Sequence, residues 1–261
     1  MTRALLVRIR GPLLGITGFL AALTAWELWT MRNDSFYVPR ATEVVGAAWN
    51  LWRDPEFLST AAESLERLAA GFLIGSAIGV GLGLLMGSSL RARSALGPLV
   101  ELLRSTPPIA IVPALLIVLG LGNEMRVTVI AFGVCFPVLL NTVDGVRAVS
   151  PEARDTASML HVGRLGRTFR IYLPAALPSI AAGLRIAVSV ALVLVVVSEL
   201  AGEGGGLGGY LEIVAGRSEF PELYAAILFL GLLGYVLNRL FLAAERRALA
   251  WHYGAIGEQP A

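Results

Sequence analysis

The chain has 261 residues, of which 56% are hydrophobic and only 15% charged, whereas a soluble globular domain carries roughly 25% charged residues. All 21 basic residues are Arg and none is Lys, which excludes a phosphate-binding P-loop, so any energy drawn from ATP must come from another polypeptide. The lone Cys135, two His residues without zinc-site spacing and a net charge of +2 without a basic stripe predict no disulfide, no metal and no nucleic-acid partner.

Six uncharged or nearly uncharged stretches are long enough to cross a hydrocarbon core of roughly 30 Å as helices. The predicted fold class is therefore an all-α integral membrane protein, a six-transmembrane-helix bundle in which residues 1–261 form a single transmembrane domain. Trp26 and Trp29 at the end of the first stretch resemble an interfacial belt, so this stretch is interpreted as a retained helix and not as a signal peptide. The predicted spans are 11–30, 68–90, 104–123, 127–143, 174–199 and 223–243, with a long loop at 144–173.

The distribution of Arg predicts the orientation. With the N-terminus in the cytoplasm, 13 Arg residues lie on the cytoplasmic side and 6 on the opposite side, while Arg104 and Arg185 fall within or near the membrane. We therefore expect a multi-pass protein of the bacterial cytoplasmic (inner) membrane with both termini in the cytoplasm.

The second span contains five glycines, each four residues after the last. Residues four apart stack on nearly one helical face, so this row predicts a groove where another helix approaches closely, either a neighbour in the chain or one from a second copy. A nucleotide-binding interpretation fails because no strand precedes the row. The glycines are Gly71, Gly75, Gly79, Gly83 and Gly87.

The third span opens with the pair Pro107 and Pro108. Two prolines remove two backbone donors and disfavour regular helix just before them. Broken helix within a bilayer is tolerated where it is buried in protein or lines a wet cavity, so the pair predicts either a kink used for packing or part of a translocation path.

The loop at 144–173 carries the strongest functional signal. Ser150, Pro151 and Glu152 predict a helix start, with Ser as N-cap, Pro at the first position and an acid in the first turn. Ala153, Ala157 and Leu160 then form a narrow apolar stripe. Such a helix suits either an anionic lipid surface or docking to a cytoplasmic protein, and its periodicity does not separate the two.

Across this loop the sequence resembles the permease subunits of ABC importers, of the nitrate/sulfonate/taurine type. Those subunits carry the pattern EAA, three residues, Gly, nine residues, Ile, one residue and Leu-Pro. Ile171, Leu173 and Pro174 fit its end, which places 155–157 at EAA and His161 at the Gly. Other matching stretches, in order, include 38–44, 64–67, 107–110, 136–142, 145–147, 173–178, 183–185 and 206–208.

The resemblance implies an all-helical permease without catalytic activity or cofactor of its own. Its implied partners are a cytoplasmic ATPase subunit that binds ATP and Mg, an extracytoplasmic substrate-binding protein, a second permease copy and the lipid bilayer. The implied cargo is a small anionic solute or a heterocyclic vitamin precursor. The implied ATPase-coupling residues are Asp155, Thr156, Ala157, Leu160, His161, Gly163, Leu173 and Pro174.

Two of these positions depart from the family pattern. Asp155 replaces Glu and keeps the charge on a shorter side chain. His161 replaces a Gly that permits positive φ, so either the turn has moved to Gly163 or the local geometry differs from that of the family.

Arg185 and Glu199 are the charged residues of the fifth span and, with the proline pair, candidates for the translocation path. Each could pair locally near a membrane edge, or Arg185 could attract an anionic substrate. The alternative functions are a secondary transporter, which would need ionisable residues at mid-membrane, and a membrane-embedded enzyme, which would need a nucleophile–base pair or a metal cluster.

Overall fold

The computed structural model describes the backbone of residues 2–33, 35–201 and 205–251, and the side chains from residue 14 onward. Arg3, Arg8 and Arg10, which contribute to the orientation argument, and the tail after Trp251 lie outside the described side chains. No strand occurs in the described ranges. The helices are α1 (Thr2–Asn33), α2 (Ala41–Leu51), α3 (Pro55–Ser88), α4 (Leu90–Ser105), α5 (Val112–Leu119), α6 (Asn123–Arg147), α7 (Pro151–Met159), α8 (Arg164–Arg167), α9 (Leu173–Leu200), α10 (Gly206–Gly216) and α11 (Phe220–Ala248).

The all-helical membrane fold predicted from the sequence is confirmed. Within the described residues, α1, α3, α6, α11 and the continuous stretch Arg164–Leu200 are long and apolar enough to cross a membrane. The bent pair of α4 with the segment Pro108–Leu119 raises this number to six if the pair counts as one span.

Residues 104–123, which the sequence predicts as the third span, do not form one helix. α4 ends at Ser105, and the chain continues as a 3-10 turn at Pro108–Ile111 and the short α5, with a bend of 89° between the two arms. The prolines that follow Thr106 explain the break, because they cannot donate backbone hydrogen bonds and disfavour helix before them. Residues 91–103, which lie between the predicted spans 68–90 and 104–123, are helical as part of α4.

The chain divides into two compact units, and the functional candidates lie in the larger one, Ser59–Tyr210 together with the residues from Leu232 onward. The core of this unit is the contact between α6 and α9. Small residues of α9, Ala187 and Ala191, pack there with fully buried valines of α6 such as Val134 and Val138. Small side chains on one helix let the two backbones approach closely, which is the usual basis of helix packing in membranes.

The smaller unit comprises the residues up to Leu58 together with Leu211–Gly231. The hydroxyl of Thr42 on α2 donates a hydrogen bond of 3.0 Å to the carboxylate of Glu27 on α1. Phe57 is fully buried and packs edge-on against Phe229, with ring centroids 5.1 Å apart.

Candidate functional site

The start of α7 has the structure that its sequence predicts. Ser150 is the N-cap and its hydroxyl accepts a hydrogen bond of 3.3 Å from the amide of Ala153. Pro151 occupies the first turn, where a missing amide costs nothing, and Glu152 lies beside it near the positive end of the helix. The predicted helix start is confirmed.

The turn that ends α7 lies at His161, which has a φ of 52° in the left-handed region. The amide of His161 donates to the carbonyl of Ser158 at 3.1 Å, and that of Val162 donates to the carbonyl of Ala157 at 3.0 Å. These two bonds form a Schellman motif, in which the left-handed position is usually Gly. Gly163, the other site considered for the turn, has an extended backbone with a φ of −60°. The turn has therefore not moved, and a histidine occupies the position that favours glycine.

Arginine side chains connect α7 and its turn to neighbouring backbone carbonyls. The guanidinium of Arg154 donates to the carbonyls of Val146 and Arg147 at 3.0 Å each, at the C-terminal end of α6. Arg167 on α8 donates through Nε to the carbonyl of Val162 at 2.8 Å. Carbonyls at a helix C-terminus lack intrahelical donors, so Arg154 satisfies groups that α6 leaves open and attaches the loop to the bundle.

The apolar stripe predicted on α7 does not form one surface. Ala157 is 4% exposed and buried within the chain, whereas Ala153 is exposed and Leu160 is 72% exposed. A buried side chain cannot enter a groove on another protein, so the hypothesis that Ala157 inserts into a partner is wrong for this structure. Asp155 and Thr156 are exposed, and the large exposed apolar side chains of the loop are Met159, Leu160, Leu165 and Phe169.

The loop joins α9 through a widened helical segment. Residues Thr168–Tyr172 form a π-helix, and the amide of Leu173 donates to the carbonyl of Thr168, five residues earlier. Pro174 follows directly and cannot donate to the preceding turn, which explains a local departure from the α-helical bond pattern. Leu173 and Pro174 are both half-buried at this junction.

The glycine row of α3 lies directly against α6. A β-carbon added at Gly71 would lie 2.6 Å from Cβ of Ile130, and one at Gly79 would lie 2.7 Å from the carbonyl oxygen of Cys135. Added β-carbons at Gly75, Gly83 and Gly87 would meet α6 in the same way. The helix that packs on the row therefore belongs to the same chain.

Glu199 is fully buried at the end of α9 and is surrounded by hydrogen-bond donors. Its carboxylate accepts bonds from Ser64 Oγ at 2.8 and 2.9 Å, from the guanidinium of Arg67 at 2.7 Å and from the amide of Gly208 at 3.0 Å. Ser64 Oγ in turn accepts the amide of Leu207 at 2.8 Å. The carboxylate therefore joins α3, α9 and the start of α10, and in this conformation it cannot contact a solute.

The other charged residue of α9, Arg185, pairs with a different helix. Its guanidinium donates to the carboxylate of Glu245 on α11 at 2.5 Å, and Glu245 is buried while nearly half of the Arg185 side chain is exposed. Arg185 and Glu199 thus have separate partners. The bond described between Arg185 and Glu245 uses one of the five N–H groups that a guanidinium carries.

The proline pair lies at the bend between α4 and α5. Pro107 is exposed and Pro108 is half-buried, at the start of the 3-10 turn that contacts α6 and α9. A β-carbon at Gly133 on α6 would lie 3.3 Å from Cγ of Pro108, so this turn approaches α6 closely.

Residues 78–249 match the family described as the binding-protein-dependent transport system inner membrane component. The matched region contains the loop from Ser150 to Tyr172, Arg185 and Glu199. The chain belongs to this family. It is the permease subunit of an ABC importer, which decides against the secondary transporter and the membrane-embedded enzyme.

Two relatives whose names state the transported anion align with most of this chain. The nitrate import permease protein of Synechocystis is 31% identical over 232 residues, which are 85% of this chain and 84% of that protein. The bicarbonate transport system permease protein of Synechococcus elongatus is 27% identical over 250 residues, 92% of this chain and 90% of that protein.

A solved structure shares the fold of the permease. It is a chain of a bacterial alginate ABC transporter in complex with an alginate pentasaccharide-bound periplasmic protein. The TM-score is 0.58 with 14% identity, and the superposition covers 92% of this chain and 93% of that chain.

The sequence did not identify the partners of the two charged residues of α9. Arg67 and Ser64 lie three residues apart on α3, which places both near one face of a helix, but nothing in that spacing indicates a carboxylate 132 residues further along the chain. Nothing in the sequence around Glu245 indicates that it pairs with Arg185, 60 residues earlier in the chain. Residues so far apart in the sequence form no local pattern that would predict their pairing.

Proposed function

We propose that this permease subunit imports a small oxyanion as one of two permease copies, and that the segment 150–173 couples it to a cytoplasmic ATPase subunit. ATP and Mg²⁺ bind to the ATPase in this proposal, and an extracytoplasmic binding protein delivers the solute. Closure of two ATPase subunits would then drive the permeases between inward-facing and outward-facing states.

The observation that carries the proposal is the uncovered apolar surface of the loop. Met159, Leu160, Leu165 and Phe169 are each at least 60% exposed, on a segment that also carries several charged side chains. Exposed apolar side chains on short helices suit insertion into a groove of another protein. The bonds of Arg154 to α6 support force transmission, because they tie α7 directly to a membrane span.

The distribution of Arg supports a cytoplasmic location for this loop. Arg154, Arg164, Arg167 and Arg170 all lie within it, and positive residues accumulate on the cytoplasmic side of membrane proteins. A cytoplasmic loop is the part of the permease that an ATPase can reach.

The oxyanion assignment comes from the relatives and from one residue of the permease. Nitrate and bicarbonate, in the names of the relatives, are both small singly charged oxyanions. Arg185 is the candidate for the path, since its side chain is 45% exposed and has donors beyond those used by Glu245. A heterocyclic solute remains the alternative that the transport assay would reveal.

Transport in proteoliposomes tests the proposal. The permease would be reconstituted with its ATPase subunit and binding protein, and uptake of nitrate, bicarbonate and an alkyl sulfonate compared with and without internal ATP. We expect ATP-dependent uptake of the anion that also raises the melting temperature of the binding protein. Arg185→Gln should reduce uptake while the subunits still assemble. Uptake driven by an ion gradient without the ATPase would contradict the proposal.

A further inference from the structure

An apolar cleft separates α4 from α3 and α6. Its volume is about 510 Å³, within the range of small-molecule sites, and its lining is almost entirely apolar. α3 contributes Ile74, Ile78 and Leu82, and α6 contributes residues from Val127 to Leu139. The α4 wall consists of Leu96, Leu99, Val100 and Leu103.

A basic side chain lies on the same face of α4 as two residues that line this cleft. Arg93 precedes Leu96 and Val100 by three and seven residues on α4, so it shares their helical face. Its Nη2 lies 3.4 Å from the carbonyl oxygen of Met86, a residue that packs with Leu82, Leu96 and Val100. The guanidinium is therefore next to the apolar lining.

The hydrogen bonding of Arg93 is incomplete. Its guanidinium forms no ion pair in the described part of the chain, and its hydrogen bond to the carbonyl of Met86 is long. A guanidinium without a carboxylate partner is suited to binding phosphate oxygens. Arg93 also lies in the first turn of α4, where the helix dipole favours an anion.

From these observations we propose that the cleft holds one acyl chain of an anionic phospholipid, whose phosphate binds Arg93. The apolar walls of α3, α4 and α6 enclose the acyl chain, and the guanidinium supplies donors to the phosphate oxygens. Arg91, which is exposed two residues earlier, adds positive charge near the head group.

Charge favours a phospholipid over a helix from a second copy in this cleft. An apolar helix would fill the cleft equally well but would leave the charge of Arg93 without a counter-charge in the described part of the chain. A phospholipid suits both parts of the site, because one molecule carries a phosphate that can bind Arg93 and an acyl chain that can fill the cleft. A bound lipid would fill the space between α4 and the helices α3 and α6. None of the residues that line this space belongs to the coupling loop.

Native mass spectrometry of the full-length protein, released from nanodiscs with equal amounts of phosphatidylglycerol and phosphatidylcholine, tests this proposal. We expect one retained phosphatidylglycerol per chain. Arg93→Gln should lower retention about tenfold, the loss expected for one charge-assisted hydrogen bond. Leu99→Trp should lower it as well, because the indole fills the cleft. Leu102→Trp is the matched control, since Leu102 lies on the same helix and does not line the cleft.

Photo-crosslinking in the wild-type chain provides a second test that does not depend on variant folding. A phospholipid with a photoreactive acyl chain should label peptides that contain Leu96, Val100 or Leu139. Equal retention of both lipids by all variants, or labelling confined to other surfaces, would overturn the proposal. A crosslink between the cleft and a peptide of a second copy would also overturn it.

Discussion

The contact of α3 with α6 and α9 and the loop from Ser150 to Tyr172 use side chains in opposite ways. In the helical contact, glycines of α3 lie against the backbone of α6, and the buried ion pair of Arg67 and Glu199 joins α3 to α9. A larger side chain at these glycines would clash with α6. In the loop, large apolar side chains are mostly exposed and add little to the packing of their own chain. The comparison separates residues that hold the permease together from residues available to a partner.

The largest expected effect is on the buried ion pair of the helical contact. Arg67→Met leaves the carboxylate of Glu199 buried without its cation, which should lower the free energy of unfolding by about 3–5 kcal/mol. Thermal unfolding in detergent measures this loss. The double variant Arg67→Met with Glu199→Gln should recover part of it, because a neutral amide still accepts the Ser64 and Gly208 bonds. Equal losses in the single and double variants would mean that the charge pairing contributes little.

A smaller loss is expected at the glycine row. Gly79→Leu should cost about 1–3 kcal/mol or abolish expression, because its side chain would meet the backbone of α6. Gly81→Leu is the matched control, two residues away on the same helix with no atom within 4 Å of an added β-carbon. Measured melting temperatures should fall for the first and stay near wild type for the second. Similar melting temperatures for the two variants would contradict the contact with α6.

At the boundary between the two regions, Ala157→Arg is expected to affect stability and not docking alone. Ala157 lies in the loop but is buried, so a charged side chain there must either displace its neighbours or be buried unpaired. We expect a lower melting temperature of the permease purified without its ATPase. Ala153→Arg, at an exposed position of the same helix, should leave that temperature unchanged. An unchanged melting temperature for Ala157→Arg would contradict the burial of Ala157 and would indicate that this residue belongs to the docking surface.

The smallest expected effect is a gain in stability at the turn of the loop. His161→Gly removes a left-handed backbone penalty of roughly 1 kcal/mol and should slow hydrogen exchange at the amide of Val162. Gly163→Ala should be neutral, because Gly163 has a backbone that any residue adopts. Faster exchange in the His161→Gly variant would show that the imidazole itself stabilises the turn.

The sequence predicted what depends on local pattern and missed what depends on distant contacts. The length of the apolar stretches predicted the membrane fold, and Ser150 with Pro151 predicted the start of α7, because both patterns lie within one continuous segment of the sequence. The burial of Ala157 and the partners of Glu199 were not predictable, since both depend on helices brought together by the fold. The prediction that the residues from Ala153 to Leu160 form one apolar docking surface was wrong for the same reason. Periodicity shows which residues share a helical face, but it does not show what covers that face.

The central claim is that the exposed apolar residues of the loop, and not Ala157, bind the ATPase subunit. The most direct measurement is the amount of ATPase retained when tagged Leu160→Asp permease is purified from membranes that contain both subunits. We predict loss of most of the ATPase at an unchanged melting temperature of the permease, because Leu160 is 72% exposed and contributes little to its own fold. Ala153→Asp, the exposed control on α7, should retain the ATPase. Full retention by Leu160→Asp would contradict the claim.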